Sequence, residues 1–205
     1  MVKLPRDPGA LTIEDADLAD WRHHRLVRIH GTAGPHSLPW YQLRHFGPTR
    51  TRFDPHPPPP AIHAGFAVMY AAADVDTALA EVFQLSRTIE PAAPNRPYLT
   101  IWTAVRALRL LDIRGTWPLR QGASHAINTG PHPVCRRWAH AIATHPTAVD
   151  GLLYTSSMTG TDATALFLPA ADSFPPNPEL SLPLNDPGPA GALPAAADRI
   201  GYAIT

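Results

Sequence analysis

The chain has 205 residues with 17 Lys+Arg and 17 Asp+Glu. That is enough chain for one domain with a real core, and the zero formal charge argues against a nucleic acid or an anionic membrane as the main partner. The single cysteine, Cys135, excludes an internal disulfide and fits a cytoplasmic location. In chain order, the opening "MVKLPRDPGALTIEDADLADW" has no apolar stretch and carries several acids. It does not read as a signal peptide, and nothing later reaches transmembrane length. Residues 13–21 predict a short polar helix. "RLVRIH" (Arg25 to His30) alternates as a strand does, with Val27 and Ile29 on one face and Leu26, Arg28 and His30 on the other. A loop rich in Gly, Pro and aromatics follows from Gly31 to Pro60. It ends in "HPPPP", which must be extended and cannot join a ladder.

"FAVMYAAADVDTALAEVF" (Phe66 to Phe83) predicts a strand and then a helix. Phe66, Val68 and Tyr70 share a strand face, and Asp76 is the expected N-cap. At about 100° per residue, Leu79, Phe83, Val82, Ala78 and Leu85 make an apolar arc with Glu81 just outside it. A glutamate at such a boundary reaches either water or a cleft, and geometry alone favours water. "YLTIWTAV" (Tyr98 to Val105) and "LRLLDI" (Leu108 to Ile113) predict strands, and "PVCRRWAHAIATH" (Pro133 to His145) a helix with Arg136 and Arg137 on a solvated face. "GLLYTSS" (Gly151 to Ser157) and "ATALFLPA" (Ala163 to Ala170) predict two strands joined at "MTGTD". The Pro/Ala/Gly-rich tail from Phe174 to Ala197 reads as an extended, weakly structured wrap. Strands outnumber helices and alternate with them irregularly, so the expected class is α+β.

Other chemistries lack their signatures. The histidines include no HExxH and no Cys/His pair at zinc spacing. G-x-S-x-G, GxGxxG and P-loop motifs are missing too, so a Rossmann use of NAD is unsupported. Cys135 on its helix reads as a packing residue.

"VRIH", "FGPTRTRFDP", "MYAAADVDTALAEVF" and "GLLYTSS", in that order, resemble the signatures of RES-domain proteins, the bacterial toxins of RES–Xre type II toxin–antitoxin systems. The resemblance covers about residues 25–170 of a single domain spanning 1–205, with a Pro/Ala-rich C-terminal extension over 174–205. It implies an ADP-ribosyltransferase-like fold, with split, mixed sheets flanked by helices. It also implies Arg28, Glu81 and Ser156 as the arginine, glutamate and serine that name the family. Tyr70 matches a family tyrosine eleven residues before the glutamate. The second block departs from the usual Gly-Gly-Arg-Trp-Asn-Pro, with Phe53 for tryptophan and Asp54 for asparagine. Arg52 or Arg50 takes the arginine's place, Arg52 being favoured because it directly precedes Phe53. Ser157 competes with Ser156.

The implied activity is cleavage of the nicotinamide–ribose bond of NAD. NAD is then a substrate and not a cofactor, no cofactor or metal is expected, and water or inorganic phosphate is the acceptor. In this scheme Glu81 stabilises developing positive charge and Arg28 binds the diphosphate. Tyr70 walls the nicotinamide, Ser156 bonds ribose or amide, and Arg52 joins the NAD site. The implied partner is an Xre-like helix-turn-helix antitoxin that supplies any DNA contact and blocks the site, in a complex that can be of higher order. The alternatives are an ADP-ribosyltransferase acting on a macromolecule and a non-catalytic binding domain of the same fold.

Overall fold

The computed structural model describes residues 3–205, and the apolar alternation of the sequence resolves into one large sheet. The strands are β1 (Leu18–Asp20), β2 (Arg25–Gly31), β3 (Phe46–Gly47), β4 (Ala61–Ile62), β5 (Val68–Ala72), β6 (Thr88–Ile89), β7 (Pro97–Thr103), β8 (Arg109–Asp112), β9 (Gly151–Thr155), β10 (Asp162–Phe167), β11 (Leu180–Pro183) and β12 (Ala203–Ile204). The helices are α1 (Val75–Val82), α2 (Trp117–Arg120), α3 (His132–Ala143) and α4 (Pro187–Ile200). Eight strands form a mixed sheet in the order β1-β8-β9-β10-β5-β2-β7-β11. Only β8 and β9 are parallel within it; the other neighbours are antiparallel.

Pairing is uneven across the centre. β2 and β7 are joined by seven residue pairs, Arg25↔Thr103 to Gly31↔Pro97. β2 and β5 share one, Val27↔Ala72. The sheet therefore splits beside Val27, and the chain at Arg44 fills part of the opening through a bridge to Val68. One sheet face carries Val27, Ile29 and Ala72 under α1 and α4, and Val68, Leu152, Tyr154 and Ala165 under α3. The other carries Leu26, Met69, Ala71, Leu153 and Leu166 with an aromatic cluster. There Trp102 stacks on Phe174 at 5.7 Å between ring centroids.

Five local expectations are corrected. Residues 13–21 form a 3-10 turn at Asp15–Asp17 followed by β1, because Leu18–Asp20 satisfies the free edge of β8. The N-cap of α1 is Asp74, whose side chain accepts from Thr77 N at 2.7 Å; Asp76 instead pairs with Arg199 at 2.6 Å. α1 stops at Val82, and the expected apolar arc holds only in part: Phe83, the C-cap residue, packs on the core with Ala78 and Leu79, but Val82 is 50% exposed and Leu85, beyond the helix, 98%. Arg136 and Arg137 are half-buried and tie α3 to neighbouring loops, donating to Thr49 O at 2.9 Å and Arg6 O at 2.7 Å.

The fifth correction is the largest. The tail is a strand on the edge of β7 and a 14-residue helix. Proline lowers helix propensity in an interior, but Pro187 stands in the first turn, where no N–H is needed. The Asp186 side chain caps α4 by accepting from Gly188 N at 3.0 Å. Gly201 ends it in a left-handed conformation, φ 69°. Burial of Leu193, Ala196 and Ala197 against α1 and its neighbours offsets the cost of Pro194 inside the helix.

Candidate active site

Glu81 stands in the last turn of α1, half-buried. Ser156 follows β9, and its backbone N–H donates to Thr161 O at 2.8 Å, closing the turn between β9 and β10. Its Oγ–H donates to Glu81 Oε1 at 2.6 Å, while the same oxygen accepts from Met158 N at 3.1 Å and Thr159 N at 3.4 Å. Ser156 is only 2% exposed and all its hydrogen-bonding capacity is used. Its contacts are those of a residue that fixes the Glu81 carboxylate. Such a short O–H···O⁻ bond is charge-assisted, and no basic side chain pairs with Glu81 among the described salt bridges.

Tyr70 and Tyr154 lie on the same sheet face as Ser156. β10 separates them, with Ala165 opposite Tyr70 and Ala163 opposite Tyr154. Tyr70 Oη accepts from Phe53 N at 2.9 Å, and the Phe53 ring packs on Tyr154 at 4.8 Å between centroids. Burial raises both phenols above their usual range, and the nearby Glu81 carboxylate adds to the rise at Tyr154. Both are neutral donors at physiological pH. Tyr154 was not singled out from sequence, although its parity with Leu152 and Ser156 in "GLLYTSS" puts it on the site face.

Arg52 is half-buried and reaches this cluster, whereas Arg50 is exposed. Arg52 donates through Nη1 to Gly130 O and through Nη2 to Ser157 Oγ at 3.4 Å. Ser157 thus contacts the arginine and Ser156 the glutamate. Arg28 stands apart. Strand alternation puts it on the opposite face from Val27, with Leu26 and His30, next to the split between β2 and β5. Its Nη1 donates to Trp40 O at 2.9 Å, and burial lowers its pKa to about 10. None of the hydrogen bonds among the described residues links Arg28 to Glu81, Ser156 or Tyr70. What the two arginines share is a guanidinium partly removed from water without a carboxylate partner in the described structure, which is an available charge for an anion.

His30 accompanies Arg28. Its pKa falls to about 4, first through burial and then through the neighbouring guanidinium, and its Nε2 is 3.1 Å from Thr100 Oγ1. It is neutral at physiological pH. Cys135 is fully buried, with Sγ 3.3 Å from Ile127 O and a thiol pKa raised by burial, so it packs. Among the described residues no group of three or more His, Cys, Asp or Glu is arranged to hold a metal ion, and no helix is long and apolar enough to cross a membrane.

Comparison with known proteins bears on the fold and the family. No curated protein matches the chain. A chain in the crystal structure of the M. tuberculosis MbcT-MbcA toxin-antitoxin complex has a similar fold, with a TM-score of 0.54 and 16% identity over 91% of this chain and 93% of that one. The split mixed sheet flanked by helices is the ADP-ribosyltransferase-like arrangement expected from the sequence. The family model of the RES domain matches residues 25–185, from the first residue of β2 to just past β11, and the chain belongs to the RES-domain family.

Proposed function

We propose that the chain is the toxin of a toxin–antitoxin pair and that it cleaves the nicotinamide–ribose bond of NAD. The observation that carries this reading is the Glu81 carboxylate, held at 2.6 Å by buried Ser156 and without a salt-bridge partner among the described residues. Breaking the glycosidic C–N bond sends the electron pair to the nicotinamide nitrogen and leaves an oxocarbenium-like ribosyl group. A fixed anion lowers the energy of that cation without reorganising at the moment of reaction. Tyr154 lies close enough to feel the Glu81 carboxylate, and half-buried Tyr70, two strands away on the same sheet face, is the candidate wall for the nicotinamide. Arg52, and Arg28 at the sheet split, are the candidate partners of the diphosphate. Water or phosphate then adds to the ribosyl carbon and gives up its proton.

Family membership and the fold likeness to a chain of a toxin–antitoxin complex support the biological half of the reading. The partner is then an Xre-like antitoxin protein that covers the cleft and supplies the contact with DNA. The acceptor test is direct. The pure protein is incubated with NAD, with and without phosphate, and nicotinamide and the ribosyl product are identified. Free nicotinamide with no modified macromolecule is the expected result. Release only when a protein or nucleic acid is added marks a transferase, and no release marks a binding module; either refutes the proposal. The toxin half is tested by expressing the chain alone, which should arrest growth and drain NAD, and with its genomic neighbour, which should copurify with it and preserve NAD.

A further inference from the structure

We infer that Asp54, with Arg44 and His56, is a buried latch that positions Arg52 and Phe53, and that the latch requires a carboxylate and not an amide. The consequence for turnover rests on the proposed reading of Arg52 as part of the NAD site. Asp54 is fully buried, at 0% exposure. Its two oxygens receive five donors. Oδ1 accepts from His56 Nδ1 at 2.6 Å and His56 N at 3.2 Å. Oδ2 accepts from Arg44 Nη2 at 2.9 Å, Thr49 N at 2.8 Å and Thr49 Oγ1 at 2.9 Å. An asparagine has one acceptor oxygen and one NH₂ group. Whichever way it turned, its N–H groups would face either the His56 donors or the donors from Arg44 and Thr49, leaving buried polar groups unpaired.

The packing around the carboxylate is equally tight. A Cβ on Gly47 would come within 2.5 Å of the His56 ring and 2.9 Å of Asp54 Oδ1, so only glycine allows the loop to close. His56 Nε2 is buried without a partner among the described residues. Asp54 is therefore the ring's polar anchor, and Nδ1 carries the proton toward it. Burial alone would raise the Asp54 carboxyl, but the bonds from His56, Thr49 and Arg44 outweigh it and hold the group well below the usual carboxylate range.

The latch closes the segment that carries the site residues. Arg52 and Phe53 lie between its anchors Thr49 and Asp54. Phe53 N is on Tyr70 Oη and its ring on Tyr154, while Arg52 reaches Gly130 O and Ser157. Thr49 O accepts from Arg136 Nη1 at 2.9 Å, and Arg50 O lies 2.6 Å from His132 Nδ1, which ties the same segment to α3. Losing the charge of Asp54 would free the loop at its centre while α1 and Ser156 stay in place.

The test is Asp54→Asn, read by amide hydrogen exchange and by NAD cleavage. The Phe53 amide should exchange at least about tenfold faster, with the amides of α1 unchanged. The kcat/KM for NAD should fall by about tenfold or more. In an Arg52→Ala background the added Asp54→Asn should cost little further cleavage, because both changes remove the same group from the site. Unchanged Phe53 protection, or losses that add in full, overturns the latch. A wild-type protein that leaves NAD intact refutes the proposed reaction instead, and the exchange measurement alone then judges the latch. If Asp54→Asn does not fold, Arg44→Gln removes one of the five donors and should give a smaller acceleration at Phe53; no acceleration there likewise overturns the proposal.

Discussion

Replacing Glu81 by glutamine separates charge from shape at the centre of the site. Gln keeps an oxygen that accepts the Ser156 hydroxyl, now bonded at 2.6 Å to Oε1, so the local geometry survives. The stability cost is the difference between a charge-assisted and a neutral hydrogen bond, about 1 kcal/mol, or roughly 2–4 °C in Tm for a chain of this size. The chemical cost is larger. A preorganised group aimed at charge that develops in the transition state is worth ~2.7–4 kcal/mol, or about 10²–10³ in rate. The assay is nicotinamide release under saturating NAD, alongside thermal unfolding of both forms. Glu81→Gln should unfold within a few degrees of the wild type and cleave at no more than about a hundredth of its rate. A folded variant that retains more than about a tenth, ~1.4 kcal/mol of barrier, would show that the carboxylate charge is not what drives the cleavage.

Ser156→Ala removes the hydroxyl that fixes Glu81 and also strands the N–H groups of Met158 and Thr159; denaturant unfolding should show a loss of ~1.5–3 kcal/mol, and kcat should drop about tenfold or more with KM little altered. Arg28→Ala should weaken NAD binding measured by calorimetry about tenfold, and Arg28→Lys should recover only part of it because an ammonium lacks the planar fork; equal affinities in the three forms would remove Arg28 from the diphosphate site. His30 should make stability fall in mild acid: its folded pKa of about 4 lies below the ordinary 6.5, so the unfolded chain takes the proton first. Stability is then lost as pH falls from about 6.5 to about 4 and levels off below that. The full shift corresponds to at most ~3 kcal/mol, less for a half-buried ring, and His30→Gln should flatten that part of the unfolding profile; an unchanged slope would refute the assignment.

Much of the fold could be read from periodicity because periodicity is local. "RLVRIH", "YLTIWTAV" and "GLLYTSS" alternate on a surface with one face under α1, α3 and α4, and they became β2, β7 and β9. The tail was illegible because its composition and its context point in opposite directions. Pro and Gly argue against a helix, yet Asp186, Pro187 and Gly201 stand at the cap positions where those residue types favour one. The Asp76 expectation failed by two residues for a similar reason: both Asp74 and Asp76 have cap chemistry, and the deciding fact is that β5 ends at Ala72, so the turn reaches Asp74 first.

The candidate site residues could be singled out from the sequence, but the contacts among them could not. Glu81 was readable as a boundary residue from its own helix. What fixes it is Ser156, 75 residues away, and what lies beside Ser157 is Arg52, 105 residues away. No pattern within one element encodes such contacts; they follow from β9 and β10 returning next to β5. The departures of the second block show the same limit. Asp54 in place of the family's usual asparagine looks like a conservative change at one position. In three dimensions it is a buried charge whose donors come from Thr49, His56 and, ten residues upstream, Arg44. A buried carboxylate is stable only with such a set of donors. Arg44 and His56 therefore belong with Asp54 in one buried unit, although neither lies in the motif that first drew attention to the loop.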